Sequence, residues 1–208
     1  MSESVIVAHG LFLPGVETRL LRNRLRQAGF RPYLFQFPSV RGSLAHNVER
    51  FAKFAECVRG DRLHFVGYSL GGVLTLHMLY RHRLARVGRI VCMGSPLTGS
   101  RTASQFMKKD FSRSLVGRSL AEHTTAGGLA RWDLGFDLGI IAGTRSVGVG
   151  MFVRDLPEPN DGTVAVEETR IAGATDYTNL PLTHTQLMFD RVAARQVVHF
   201  LRYGHFAG

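Results

Sequence analysis

The pentapeptide Gly67-Tyr68-Ser69-Leu70-Gly71 lies where a short apolar run gives way to a longer one. Leu63–Val66 predicts a buried strand, and the run that begins at Leu70 is rich in helix-forming residues. Glycines two positions before and after the serine let a strand and a helix pass closely. G-x-S-x-G at such a junction is typical of a nucleophile elbow, which exposes the serine hydroxyl at the carboxyl edge of a parallel sheet. The alternative is a surface turn between strand and helix in which Ser69 has no catalytic role.

Apolar periodicity along the chain alternates between strand-like and helix-like segments. This alternation favours βαβ units, hence an α/β fold with a mostly parallel sheet of about six strands and helices on both faces. We expect strands at 4–9, 32–37, 62–68, 88–94, 138–143 and 168–173, and helices at 16–28, 43–59, 70–83 and 186–202.

Two later residues are suited to activating Ser69. Asp161 lies in an Asn-Asp-Gly turn beyond the apolar run 138–143, where its carboxylate is free to face an imidazole. His184 precedes the final amphipathic segment, so its Nε2 could remove the serine proton while Asp161 holds Nδ1–H. Other carboxylates are rivals for the acid, namely Asp176, Asp133 and Asp137.

Taken in this order, the motifs resemble those of the α/β-hydrolases, specifically the small lipases and carboxylesterases, over nearly the full length of the chain. The resemblance rests on His9-Gly10-Leu11, Gly67 to Gly72, Gly94-Ser95-Pro96-Leu97-Thr98-Gly99, Asn160-Asp161-Gly162 and His184. It implies a chain order of serine, acid and histidine, with an oxyanion hole formed by the backbone N–H groups of Leu11 and Leu70.

The resemblance implies a serine hydrolase that cleaves carboxylic esters, with a small ester or lipid-like substrate. Thioesterase, amidase and acyltransferase chemistry use the same residues and stay open, as does a catalytically silent lipid- or partner-binding protein. Residues 100–135 form either a helical cover over the site or an ordinary crossover. The residues expected to contact substrate are His9, Tyr68, Phe106 and Phe111.

Length and composition favour one globular domain over residues 1–208. No apolar stretch is long enough to span a bilayer and no secretory signal is visible, so we expect a cytoplasmic protein with Cys57 and Cys92 as buried free thiols. No His, Cys or carboxylate spacing is typical of a metal site, and the chemistry needs no cofactor. The sequence does not predict an oligomeric state.

The chain carries a formal net charge of +10, and its basic residues are unevenly spread. Residues 1–104 contain 15 lysines and arginines against 5 acids, whereas residues 105–208 contain 11 of each. This basic half could contact an anionic surface, although we favour the simpler interpretation of a solvated basic surface. No nucleic-acid-binding motif accompanies the arginines, so no specific nucleic-acid partner is expected.

Overall fold

The computed structural model describes residues 2–12, 14–108, 116–148 and 156–208. Its centre is a sheet of six parallel strands in the order β2-β1-β3-β4-β5-β6. The strands are β1 Glu3–Ala8, β2 Arg31–Phe35, β3 Arg62–Tyr68, β4 Val87–Met93, β5 Leu138–Gly143 and β6 Asp176–Leu180. The predicted α/β class with a six-stranded sheet is confirmed.

Helices connect the strands and cover both faces of the sheet. Those in the described ranges are α1 Arg19–Gln27, α2 Leu44–Cys57, α3 Leu70–Arg81, α4 Arg101–Met107, α5 Arg118–Thr125, α6 Val166–Thr169, α7 His184–Phe189 and α8 Arg191–Tyr203. None of the described helices is both long enough and apolar enough to cross a bilayer.

Alternate residues of each strand point to opposite faces, and this produces two apolar cores. Phe65 packs beneath α2 and α3, while its neighbour Val66 packs beneath α1 and α8. Ile140 and Ile141 divide in the same way. The sheet is therefore buried on both sides, as parallel sheets require.

The predicted strand at 168–173 is wrong. Residues Val166–Thr169 form the short helix α6, because the Glu168 carboxylate accepts a hydrogen bond from the Ala165 N–H (2.7 Å) and fixes a tight turn. The sixth strand is instead Asp176–Leu180, in which only Leu180 is buried. Such a strand lies at the edge of the sheet, where polar side chains reach solvent and leave little apolar signal.

Two other expectations also change. The helix predicted at 186–202 is two helices, because Asp190 adopts an extended conformation and its carboxylate caps α8 by accepting from the N–H groups of Val192 and Ala193. Cys92 is a buried free thiol as expected, whereas Cys57 ends α2 and is exposed.

Part of segment 100–135 is a packed crossover. The first turn of α2 donates the Leu44 N–H to the Glu122 carboxylate on α5 (2.7 Å), and Asn47 Nδ2 donates to Ser119 Oγ (3.0 Å). These contacts fasten α5 to α2, so residues 118–125 do not form a free cover. For α4 the cover stays a prediction. Phe106, near the end of α4, is half-buried.

Candidate active site

Ser69 lies between β3 and α3 in a backbone conformation that residues other than glycine rarely adopt, with φ 53° and ψ −121°. Small neighbours make this turn possible. A Cβ on Gly67 would lie 2.3 Å from the Gly72 Cα, and one on Gly71 would lie 2.2 Å from the Ala8 carbonyl oxygen. The glycines therefore allow the helix to start directly against the strands, as a nucleophile elbow requires.

The Asp161 side chain, in the loop after β5, is held by the backbone of the residues that follow it. Its Oδ1 accepts hydrogen bonds from the N–H groups of Thr163 (2.9 Å) and Val164 (2.7 Å). The Asn160 side chain supports the same turn by accepting from the Gly162 N–H at 2.9 Å. The side chain of Asp161 is 1% exposed, so its carboxylate is fixed with Oδ2 left for another partner.

His184 is that partner, and it connects Asp161 to Ser69. His184 Nδ1 lies 2.6 Å from Asp161 Oδ2, and Nε2 lies 3.1 Å from Ser69 Oγ. Because a carboxylate only accepts, Nδ1 carries the proton and Nε2 accepts from the serine hydroxyl. His184 starts α7, where Thr183 and Gln186 form a reciprocal cap. The rival Asp176 is elsewhere, accepting from the Phe206 N–H at 2.7 Å.

Gly94, at the end of β4, provides the space in which the histidine and the carboxylate meet. Its φ is +55°, and an added Cβ would lie 3.1 Å from both Asp161 Oδ2 and His184 Nδ1. A larger residue would press on this hydrogen bond directly. Gly143 has a similar role at the end of β5, where a Cβ would lie 2.7 Å from the Cβ of Asp161.

His9, an expected substrate contact, has both ring nitrogens occupied by the backbone, so its contact with substrate stays a prediction. Its ring is buried and stacks on Phe37 with 4.3 Å between centroids. Nδ1 donates to the Gly10 carbonyl (2.8 Å) and Nε2 accepts from the Phe37 N–H (3.3 Å). Burial lowers the pKa of His9, in keeping with a neutral ring whose two nitrogens are both occupied.

The hydrogen bond from His9 to the Gly10 carbonyl also orients the peptide bond between Gly10 and Leu11. The Gly10–Leu11 bond is trans, so its carbonyl and its N–H point in opposite directions. By holding the Gly10 carbonyl, His9 also fixes the direction of the Leu11 N–H. Neither the Leu11 N–H nor the Leu70 N–H has an acceptor among the described residues.

Tyr68, the second expected substrate contact, holds the start of α7 in place, and its contact with substrate stays a prediction. Its hydroxyl donates to the backbone carbonyl of His184 at 3.0 Å, and the two rings lie 5.0 Å apart. Burial, with a smaller contribution from the Asp161 charge, raises the pKa of the Tyr68 hydroxyl. The hydroxyl therefore stays protonated and anchors the start of α7. Of the other two expected contacts, Phe106 is half-buried near the end of α4, where contact with substrate stays a prediction, and Phe111 lies outside the described residues.

Glu17 was not expected near the site. It lies in a 3₁₀ turn, Val16–Thr18, that packs against α7, and its charge acts on both His9 and Tyr68. Both carboxylate oxygens are buried, and neither has a hydrogen-bond partner among the described residues. An acid within a predicted amphipathic helix gives no sign of this position. In the described ranges, no three His, Cys, Asp or Glu side chains are grouped to hold a metal ion.

The chain was compared with protein-family models and with curated protein sequences. A family model described as "Alpha/beta hydrolase family" matches residues 5–206. No curated protein sequence matches the chain significantly.

Solved structures of esterases share the fold at low sequence identity. A metagenomic carboxyl esterase is 15% identical with a TM-score of 0.71, covering 98% of this chain and 75% of its own. A pyrethroid hydrolase from Sphingobium faniae is 15% identical (TM-score 0.63, 98% of each chain covered). A lipase-esterase related protein from Clostridium acetobutylicum is 14% identical (TM-score 0.64), covering 96% of this chain and 93% of its own.

Proposed function

The chain belongs to the alpha/beta hydrolase family, and from that membership we propose that it is a serine hydrolase that cleaves carboxylic esters through an acyl-enzyme intermediate. One observation carries the proposal, which is the continuous hydrogen-bonded series from Ser69 through His184 to Asp161. A nucleophile, a base and a group that orients the base are the minimum set for this chemistry.

In the first step, Ser69 Oγ attacks the ester carbonyl carbon while His184 Nε2 takes the hydroxyl proton. Asp161 stabilises the imidazolium that forms, because its Oδ2 already accepts from Nδ1. As the tetrahedral intermediate collapses, the bond to the alcohol oxygen breaks and His184 returns the proton to that oxygen. The alcohol leaves and the acyl group stays on Ser69.

In the second step, a water molecule attacks the acyl carbon and gives its proton to His184. Collapse of the second intermediate breaks the bond to Ser69 Oγ, which recovers its proton from His184. The products are a carboxylic acid and free enzyme. The buried Asp161 and the capped start of α7 keep the imidazole in one orientation through both steps.

The negative charge on the substrate oxygen requires donors that are already in place. We assign this role to the N–H groups of Leu11 and Leu70, as the family resemblance implies. Leu70 is the first residue of α3, where helix geometry leaves the N–H unpaired and the helix dipole favours negative charge. The contact of His9 with Gly10 supports the direction of the Leu11 N–H.

The proposed substrate class is a small or lipid-like carboxylic ester. Structural neighbours described as a carboxyl esterase and a lipase-esterase related protein support ester cleavage as the general reaction. Their identity of 14–15% gives no guide to the acyl chain or the alcohol.

The test is hydrolysis of p-nitrophenyl esters from acetate to laurate, comparing wild type with Ser69→Ala. We expect the variant to lose about 10³-fold or more in kcat while its melting temperature is kept, because only the attacking oxygen is removed. Ser95→Ala is the matched control and should keep turnover, since the buried Ser95 hydroxyl donates to the Met93 carbonyl (3.4 Å) and not to a residue of the proposed catalytic set.

A fluorophosphonate probe separates the enzyme from a silent binding protein. It should label wild type and Ser95→Ala at Ser69, and fail to label Ser69→Ala. Substantial turnover by pure Ser69→Ala, or no labelling of wild type, would contradict the proposal.

A further inference from the structure

Helices α1 and α8 lie side by side on one face of the sheet and together carry seven arginines and no acidic residue. These are Arg19, Arg22, Arg24, Arg26, Arg191, Arg195 and Arg202. None of the seven forms an ion pair within the described ranges, whereas arginines elsewhere do, such as Arg89 with Asp137 (3.0 Å). We call this surface the α1/α8 face.

Two carboxylates adjoin this face, Asp190, which caps α8, and the buried Glu17, whose charge acts on Arg22. Two negative charges against seven arginines leave the face with an excess of positive charge. Positive charge with no internal partner repels itself, and it is compensated only when an anion binds from outside.

A groove of about 1210 Å³ runs between the two helices. Its ends are fixed, because Arg24 donates to the carbonyls of Phe189 and Asp190, and Arg202 donates to the carbonyl of Ala28. Arg191 and Arg195 line the groove and are exposed. The helices therefore form a rigid surface with cationic groups along its length.

Exposed apolar side chains gather at one end of the same face. Of the seven large hydrophobic residues that are exposed in the described ranges, five lie in or next to the two helices. Four of these are at or just before the amino-terminal ends of the helices, namely Val16, Leu20, Phe189 and Val192, with exposures of 41–65%. This end follows directly on His9–Leu11 and on the helix that starts at His184, so it adjoins the candidate active site.

We propose that the α1/α8 face binds the surface of an anionic phospholipid bilayer. Guanidinium groups pair with lipid phosphates, and the apolar end can enter the boundary between head groups and acyl chains. A second copy of the chain is the wrong occupant, because a symmetric contact would bring seven arginines that form no ion pair in the described ranges against seven more. Nucleic acid would use the arginines and leave the exposed aliphatic side chains of Val16, Leu20 and Val192 without a partner.

Binding by this face brings the bilayer to the apolar end, which adjoins the candidate active site. For that reason the esters within reach would be those of membrane lipids. This consequence for substrate choice rests on the proposed hydrolase function, whereas binding to the bilayer does not.

The experiment is sedimentation of the full chain with vesicles of phosphatidylcholine alone and of phosphatidylcholine with an equal part of phosphatidylglycerol. We expect binding to the anionic vesicles and weak binding to the neutral ones. Raising the salt to about 0.5 M should weaken the anionic binding, because screening shortens the reach of the charges.

The decisive variant is the triple substitution Arg19→Gln, Arg191→Gln and Arg195→Gln. Each arginine near an anionic surface strengthens binding by about fivefold, so the triple variant should bind about 100-fold more weakly. The matched control removes three positive charges from the opposite side, in the variant Arg50→Gln, Lys53→Gln, Arg83→Gln, and should bind much like wild type. A variant with Val16→Ser and Val192→Ser should also bind more weakly.

Turnover of a soluble acetate ester by all of these variants separates the two proposals. If the triple variant hydrolyses it normally but has lost vesicle binding, both stand. If every form binds vesicles and none hydrolyses esters, only the hydrolase proposal fails. Equal binding to both kinds of vesicle, equal losses in the triple variant and its control, or binding to single-stranded RNA with none to vesicles would overturn the docking proposal.

Discussion

Replacing Asp161 by asparagine tests the proposed mechanism most sharply, because the side chain keeps its size and loses only its charge and one acceptor. Oδ1 accepts from the N–H groups of Thr163 and Val164 at 2.9 and 2.7 Å, and Oδ2 from His184 Nδ1 at 2.6 Å. An asparagine has one oxygen for these three donors. The two backbone donors retain it, because an NH₂ group facing them would clash.

The amide NH₂ must then face His184. It donates to Nδ1, so the imidazole changes to the tautomer with its proton on Nε2, which cannot accept the Ser69 proton. For this wrong tautomer we expect kcat to fall by about 10⁴, equivalent to about 5.5 kcal/mol in the activation free energy, with KM little changed.

The assay is steady-state hydrolysis of p-nitrophenyl butyrate, with the free energy of unfolding measured on the same samples. Asp176→Asn is the matched control. Its carboxylate accepts from the N–H groups of Phe206 and Tyr177, so the variant should lose about 1 kcal/mol of stability and keep its kcat. A kcat within tenfold of wild type for Asp161→Asn, or a larger loss for Asp176→Asn, would refute the reasoning.

Two further predictions concern Gly94, beside the candidate active site, and the buried His77. Gly94→Ala should lower kcat more than tenfold, because the new Cβ would lie 3.1 Å from both Asp161 Oδ2 and His184 Nδ1. The control is Gly135→Ala, where a similar positive φ lies in open space, so this variant should lose only stability. Equal kcat values for the two variants would contradict this prediction. His77 Nε2 donates to His123 Nδ1 at 2.9 Å, since His123 Nε2 donates to the Pro96 carbonyl, and burial lowers the pKa of His77 to about 4. In the unfolded chain, His77 takes up a proton near the ordinary pKa of about 6.5, whereas in the folded chain it does so only near pH 4. The free energy of unfolding should therefore fall as the pH is lowered from 7 towards 4, with a loss of about 2 kcal/mol at pH 4.5. Urea titrations between pH 7 and pH 4 should show that the free energy of unfolding of His77→Gln depends less on pH than that of wild type. An equal pH dependence in the two proteins would contradict this prediction.

Local features of the sequence were sufficient for much of the fold. The elbow at Ser69 is recognisable because its strand, its turn and its helix are adjacent in the chain, and the glycines needed for the close approach are part of the same motif. Four of the six strands follow from short apolar runs whose central or final residues are buried on both faces. The edge strand Arg31–Phe35 has only Phe35 buried, yet its Tyr-Leu-Phe run still predicts a strand. The strand at the other edge, Asp176–Leu180, is not predicted because most of its residues are polar.

The positions of Asp161 and His184 could be predicted for a related reason. Parallel strands bring their carboxyl ends to one edge, so a polar residue in the loop after such a strand is placed near others of its kind. Which acid meets the histidine was a choice between loops, and the approach of Asp161 to 2.6 Å appears only in the folded chain.

Tertiary structure alone decided what His9 and Tyr68 do. Both have residue types that suit substrate binding, yet their partners are the Phe37 N–H, 28 positions away, and the His184 carbonyl, 116 positions away. The α1/α8 face has the same origin, since its helices are separated by more than 160 residues in sequence and Arg24 contacts Asp190 across that interval. Sequence patterns report the burial and conformation of neighbouring residues, whereas the partner of a polar group depends on which distant segment the packing of the sheet and helices brings beside it.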